Sequence, residues 1–245
     1  MVIHYAGHPA EIDKIVKWGR KNKLKIIEDC AHTSGSFYKR KRLGLWGDIG
    51  CYSFEEKKIM TTGDGGMICS NNRNYFKKLW FLKENGRDYD SVYYKKHKFG
   101  YKWIHEHVGY NFRMTEMQAI LGMEQLKSLN KNIKYRNKLY ENIIENFNET
   151  RSFKFQKIPN NYTCAFYRLY ALVDETYLKD NWNRDKILMY LEKKNIDCNV
   201  GSCSELYREK GIKNYFKKNF YLHNARLSSD NSIAFILHHN LFSIS

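Results

Sequence analysis

Apolar positions in the first half of the chain fall into short periodic runs. In Pro9-Ala10-Glu11-Ile12-Asp13-Lys14-Ile15-Val16 the residues Ile12, Ile15 and Val16 share one helical face, and proline suits a first helical turn. Arg20, Lys21 and Lys23 follow near the end of that helix, where cations complement its dipole. Leu24-Lys25-Ile26-Ile27 reads as a short buried strand that stops at Glu28-Asp29. A helix followed by an apolar strand marks a parallel α/β sheet, in which ligands lie beyond the carboxyl ends of the strands, so Asp29 is expected at the functional edge. Two more strands are predicted at Asp48 to Phe54 and Gly66 to Cys69, separated by a loop with Thr61-Thr62-Gly63-Asp64-Gly65-Gly66 whose glycines permit positive φ.

From Asn85 to Tyr110 no period is visible, and the stretch reads as a long excursion of the kind that lines sites. Thr115-Glu116-Met117-Gln118 is a capping box that starts a long helix, with Met117, Ile120, Leu121, Leu129 and Ile133 as its apolar stripe. Beyond Phe147 the pattern becomes a smaller α+β arrangement, with a strand predicted at Ala165 to Val173 and an amphipathic helix near Arg184 to Lys194. There is no internal repeat. The expected organisation is a partial, mainly parallel large domain over 1–128 and a linking helix with a small α+β domain over 129–245.

Composition makes this a folded body, since 42% hydrophobic and 16% aromatic residues over 245 positions exclude general disorder. No apolar run has the length of a membrane span, and Met1 to Ala10 lacks the layout of a signal peptide, so a soluble cytoplasmic protein is expected. Cys30, Cys51, Cys69, Cys164, Cys198 and Cys203 fit neither a zinc site nor a disulfide framework and are expected as reduced thiols. The formal charge of +16 invites a nucleic-acid reading. The cations are scattered from Lys14 to Lys218 among many Asn, Ile, Tyr and Phe, which favours a compositional origin over a binding surface.

Pyridoxal-phosphate chemistry requires a lysine for the Schiff base, a carboxylate that keeps the pyridine nitrogen protonated, and donors for a phosphate dianion. Candidates for all three lie between Asp29 and Lys58: Asp29 ends one strand, Ser53 ends another, and Lys58 follows on a loop. Lys57 stands beside Lys58, and residue identity does not choose between them; the five-residue step from Ser53 favours Lys58.

Five ordered stretches carry a resemblance to a known family. They are Val2-Ile3-His4-Tyr5-Ala6-Gly7-His8-Pro9, Ile27-Glu28-Asp29-Cys30-Ala31-His32, Gly47-Asp48-Ile49-Gly50-Cys51-Tyr52-Ser53-Phe54, Lys58 with Thr61-Thr62-Gly63-Asp64-Gly65-Gly66-Met67, and Gly109-Tyr110-Asn111-Phe112-Arg113-Met114. In order and spacing the chain resembles the DegT/DnrJ/StrS sugar aminotransferases, densely to about Arg136 and more thinly through Ile196 to Glu209 and Leu222 to Leu241. The resemblance implies the type I pyridoxal-phosphate aminotransferase fold, a nucleotide-linked keto-deoxysugar as substrate, glutamate as amino donor and a homodimer. It also implies roles: Asp29 pairs with the pyridine nitrogen, His32 bonds the ring hydroxyl oxygen, Ser53 donates to the phosphate, Lys58 carries the cofactor and moves a proton, and Asn111 reaches the neighbouring subunit's cofactor phosphate. Relative to the family the chain starts well inside the large domain, without the phosphate-cradling turn and the aromatic that stacks on the ring, and Leu241-Phe242-Ser243-Ile244-Ser245 stops before the last helix.

Other readings compete. Taken singly, Asp29 suits a turn and Lys58 a solvated surface, and His32 suits ordinary packing as well as cofactor contact. His105-Glu106-His107 lacks the spacing of a helical zinc site and is read as a solvated loop with no metal. A family-like dehydratase, in which histidine replaces the lysine, is opposed by Lys58 itself. A non-catalytic remnant and a nucleic-acid binder complete the alternatives.

Overall fold

The computed structural model describes residues 1–97, 99, 104–147, 149–215 and 221–238. In chain order the first elements are β1 (Val2–Ile3), α1 (Ile12–Lys21), β2 (Ile27–Asp29), β3 (Phe37–Tyr38), β4 (Lys41–Arg42), β5 (Ile49–Ser53), β6 (Gly66–Cys69), α2 (Arg73–Lys83) and α3 (Tyr89–Tyr94). The 32-residue helix α4 (Glu116–Phe147) follows. After it come β7 (Phe153–Phe155), β8 (Tyr162–Thr163), β9 (Arg168–Val173), α5 (Arg184–Lys193), β10 (Cys198–Val200), α6 (His223–Asn231) and β11 (Ser232–Ile236). The expected ending over Leu241 to Ser245 lies outside the described residues, as do part of the Asn85 to Tyr110 excursion and part of the Leu222 to Leu241 segment.

Two compact units form. One holds Met1–Asn132 with Asn160–Ala165; the other holds Ile133–Pro159 with Phe166–Ser245. In the first unit a four-stranded sheet runs β1-β2-β5-β6, with β1, β2 and β5 parallel and β6 antiparallel at the edge. Its register puts Ile3, Asp29, Cys51 and Ile68 in one row across the four strands. Because side chains alternate along a strand, that row shares a face with Ile27, Ile49 and Ser53, while Val2, Glu28, Gly50, Tyr52 and Cys69 point to the other. Over β1, β2 and β5 the second face is covered, with Val2 and Tyr52 packed on a cluster of Ile12, Val16, Ile26, Cys30, Tyr38 and Leu43, while Met67 on the edge strand is exposed. The first face is not covered. Ile3 is 54% exposed, Ile27 38% and Ile68 51%.

The second unit is built on an antiparallel sheet, β10-β11-β9-β7. Leu169, Ala171 and Val173 alternate inward along β9 against buried Ile233 and Phe235, and Ile187 and Leu191 of α5 are buried as well. Arg136 on α4 is buried, and its guanidinium donates to the carbonyls of Phe166 (3.0 Å) and Tyr167 (3.4 Å); burial holds its pKa down to about 10.

Several boundaries differ from the sequence expectation. The first helix starts at Ile12, not at Pro9, because the Ala10 amide donates to His4 Nδ1 (3.1 Å) and keeps that stretch in a turn. The strand predicted at Leu24 to Ile27 runs instead over Ile27–Asp29: the Leu24 amide closes α1 by donating to the Gly19 carbonyl (2.8 Å), with Lys23 left-handed at φ 55°. Phe166, at φ 50°, delays β9 to Arg168. Helix α2, absent from the sequence reading, is capped by Asn72, whose side chain accepts from the amides of Asn74 and Tyr75.

Candidate functional site

Asp29 and Ser53 are the last residues of neighbouring parallel strands. Asp29 pairs with Cys51, so Ser53 stands two residues, roughly 7 Å, further along the same face. Asp29 is half-buried; its Oδ1 accepts from the Ala31 amide (3.0 Å), and its Oδ2 has no hydrogen-bond partner among the described residues. Ser53 Oγ accepts from the Glu55 amide (3.3 Å), which leaves its hydroxyl hydrogen for another acceptor.

The chain then leaves β5 and returns to the same point. The Phe54 amide donates to Gly65 (2.9 Å) and the Thr62 amide donates back to Phe54 (2.9 Å), so the segment between is a loop closed at its neck. Gly65, at φ +143°, allows the closure; a side chain there would meet Thr62 Oγ1 and Met114. Inside the loop a turn donates the Lys58 amide to the Glu55 carbonyl (3.0 Å), exposing Lys57 and half-burying Lys58 ahead of buried Ile59 and Met60. Asp29, Ser53 and the Lys58 loop thus share the carboxyl edge of the parallel strands.

His32 reaches that edge on the turn after β2, where its Nδ1 accepts from the Ala6 amide (3.3 Å) and its ring meets Tyr5 edge-on. Asn111 stands apart. It bridges to Glu84 through the backbone, is exposed, and accepts from Arg113 Nε at 2.9 Å. His105-Glu106-His107 is exposed; the metal-binding atoms of Asp88, Glu106 and His107 lie within 4.8 Å of one another. A cavity lined by Arg20, Lys23, Lys25, Trp46 and Asp48 lies at the opposite, amino end of β2 and β5, away from these residues.

Sequence reasoning missed the group that braces the edge from behind. Glu28 is fully buried and accepts from His4 Nε2 (3.1 Å) and from the amides of Gly44 (2.8 Å), Trp46 (2.7 Å) and Gly47 (2.6 Å). His4 Nδ1 accepts from Ala10, so Nε2 bears the hydrogen and donates it in the bond to Glu28. Burial pushes the Glu28 carboxyl up, but His4 and the three amides outweigh it and hold the pKa below the ordinary carboxylate range. A charged residue inside an apolar strand, followed by the glycine-rich Leu43-Gly44-Leu45-Trp46-Gly47, was the available signal.

A mainly parallel sheet with a carboxylate and a hydroxyl at its carboxyl edge and a lysine on the adjoining loop, in a chain that also holds a separate α+β unit, is the plan of a type I aminotransferase. The chain belongs to the DegT/DnrJ/EryC1/StrS aminotransferase family, which it matches over residues 1–242. An aminotransferase from Psychrobacter cryohalolentis is similar in structure at a TM-score of 0.90 and 35% identity, covering 98% of this chain and 64% of that one. An uncharacterised protein of Methanocaldococcus jannaschii is 34% identical over 200 residues, 81% of this chain and 51% of the relative. GDP-perosamine synthase of Escherichia coli O157:H7 is 33% identical over 148 residues, 60% of this chain and 38% of the synthase. The chain spans about half the length of the curated relatives it matches, or less.

Proposed function

We propose that this chain carries the lysine side of a pyridoxal-phosphate-dependent aminotransferase acting on a nucleotide-linked keto-deoxysugar, with glutamate as amino donor, in a cytoplasmic homodimer. The observation that carries the reading is the convergence of Asp29, Ser53 and the Lys58 loop on one strand edge. The residues present fit the cofactor. The open Oδ2 of Asp29 suits a protonated ring nitrogen, the hydroxyl hydrogen of Ser53 suits a phosphate oxygen, and Lys58 is the half-buried member of the lysine pair. Bound there, pyridoxal phosphate supplies a carbonyl carbon for an amine and a ring that takes up electrons.

Each residue then has a defined task. The Asp29 carboxylate would stabilise the positive charge on the ring nitrogen. Ser53 would donate to the phosphate. Lys58 Nζ would hold the cofactor and, when free, would be the base that moves a proton. His32 would bond the ring hydroxyl oxygen. The substrate class rests on the similarity to GDP-perosamine synthase. The dimer is supported by exposed Met117, Ile120, Leu121, Met123 and Leu126 on α4 and by exposed Asn111, assigned to the neighbouring subunit's phosphate.

The purified chain mixed with pyridoxal phosphate is expected to show a visible absorption band that borohydride abolishes, with the reduced cofactor's mass fixed on Lys58, and Lys58→Ala is expected to lack both. A band that survives in Lys58→Ala and maps to Lys57 would refute the assignment. The uncovered sheet face favours a second reading, in which the chain folds but does not retain cofactor unaided; absence of any band from the wild-type chain is its signature.

A further inference from the structure

We infer that the cavity at the amino end of β2 and β5 is a second ligand site, one that takes a nucleoside phosphate with its phosphates among Arg20, Lys23 and Lys25 and its base against Trp46. The cavity has a volume of about 400 Å³. That is more room than an inorganic phosphate fills, and it falls in the range of organic-ligand pockets, ~300–1,000 Å³. Its lining is divided by chemistry. Val16 and Ile26, both buried, and half-buried Trp46 form an apolar and aromatic side, while exposed Arg20, Lys23 and Lys25 supply cations. A nucleoside phosphate has the same two parts.

The fold does not use these cations up. Arg20 and Lys23 form no ion pair among the described residues. The carboxylate in the lining, Asp48, stands 3.6 Å from Lys25 Nζ through Oδ1, and its Oδ2 accepts from the Ile26 amide (2.8 Å). Three cations against one carboxylate leave a local excess of two positive charges, which suits a phosphate dianion. Cations near a helix end complement its dipole, but the last carbonyls of α1 already have backbone partners. The Asn22 amide donates to Trp18 and Gly19 (3.1 Å each), the Lys23 amide to Arg20 (3.1 Å) and the Leu24 amide to Gly19 (2.8 Å). The side chains of Arg20 and Lys23 are therefore not spent on capping.

Trp46 adds an independent observation. Its Nε1 hydrogen is buried with no acceptor among the described residues, so a small shift of the ring toward a bound acceptor gains a hydrogen bond and breaks none. Lys41 Nζ stands over the same ring, 4.8 Å from its centre, and brings a further cation to that wall. The wall is preformed, because the amides of Trp46 (2.7 Å) and Gly47 (2.6 Å) are fixed on buried Glu28. Five residues of extended chain, roughly 16 Å, separate Asp48 from Ser53, so the site is distinct from the Asp29–Ser53 edge.

The test titrates guanosine diphosphate into the full chain by calorimetry, without pyridoxal phosphate, so its outcome is independent of the proposed cofactor reading. Guanine is chosen because its edge donors match the Asp48 Oδ1 acceptor. Inorganic pyrophosphate and guanosine, each carrying one part of the ligand, are titrated beside it. One-to-one binding is expected, at least about tenfold tighter than either part alone, with amide exchange slowed over residues 24–26 and 46–48. Arg20→Glu and Lys23→Glu, at exposed positions, are expected to leave the melting curve unchanged and each to weaken binding at least about tenfold. No binding, binding matched by pyrophosphate or guanosine alone, binding that persists in both variants, or protection confined to other segments would each overturn the proposal.

Discussion

Glu28 concentrates a disproportionate share of the first unit's order in one side chain. A fully buried carboxylate with four donors ties the segment after β1, through His4, to the loop before β5, through the amides of Gly44, Trp46 and Gly47. Removing one side of such an arrangement leaves buried donors unmatched, so Glu28→Ala is expected to lose about 3–5 kcal/mol of unfolding free energy in urea titration. The pH dependence has a defined sign. A carboxyl whose folded pKa is depressed contributes stability above its unfolded pKa and loses it as pH falls through the folded value. The difference between wild type and Glu28→Ala is therefore expected to hold through neutral and mildly acidic pH and to shrink below the ordinary carboxylate range. A difference that grows on acidification would contradict the assignment.

At the scale of elements, the start of α4 ties helix to loop. Thr115 and Gln118 close the capping box, with the Gln118 amide donating to Thr115 Oγ1 (3.3 Å) and the Thr115 amide to Gln118 Oε1 (2.9 Å), and Gln118 Nε2 also donates to the Asp64 carbonyl (3.0 Å) in the loop that carries Lys58. Gln118→Ala is expected to cost about 1 kcal/mol and to speed amide exchange at Thr62 and Gly65; Gln118→Glu, which keeps the capping acceptor and loses the donor, should restore the helix start but not the loop. The capping box was legible in the sequence because its partners are three residues apart. So were Asp29 and Ser53 as strand ends, since apolar runs and their polar stops are local signals. His4 and Glu28 were not legible as a pair: they are 24 residues apart and meet only once β1 and β2 align. The start of β2 was misplaced because ladder partners on β1 and β5, not its own apolar run, decide where pairing begins. The open face was invisible for a similar reason, since Ile3 and Ile27 read as core until the register sets them on a face where both are exposed.

Over the whole molecule, the charge of +16 does not gather into one field. Lys14, Lys39, Lys77, Lys83, Lys95, Lys127 and Lys154 each sit against a carboxylate, in both units. A duplex-DNA anisotropy titration is accordingly expected to show only weak binding at ~50 mM salt and none at ~200 mM, whereas tight binding with a steep salt slope would restore the nucleic-acid reading. No described helix is long and apolar enough to cross a membrane. The neck of the Lys58 loop has a consequence for how such a chain can change over generations. Because the bonds at Phe54, Thr62 and Gly65 hold both ends against β5, residues from Glu56 to Lys58, ahead of buried Ile59 and Met60, can be exchanged without moving a strand. On the proposed reading the side chain at position 58 is therefore a replaceable part on a mount closed by backbone bonds alone, and a lineage can trade one chemistry for another there while inheriting the architecture intact.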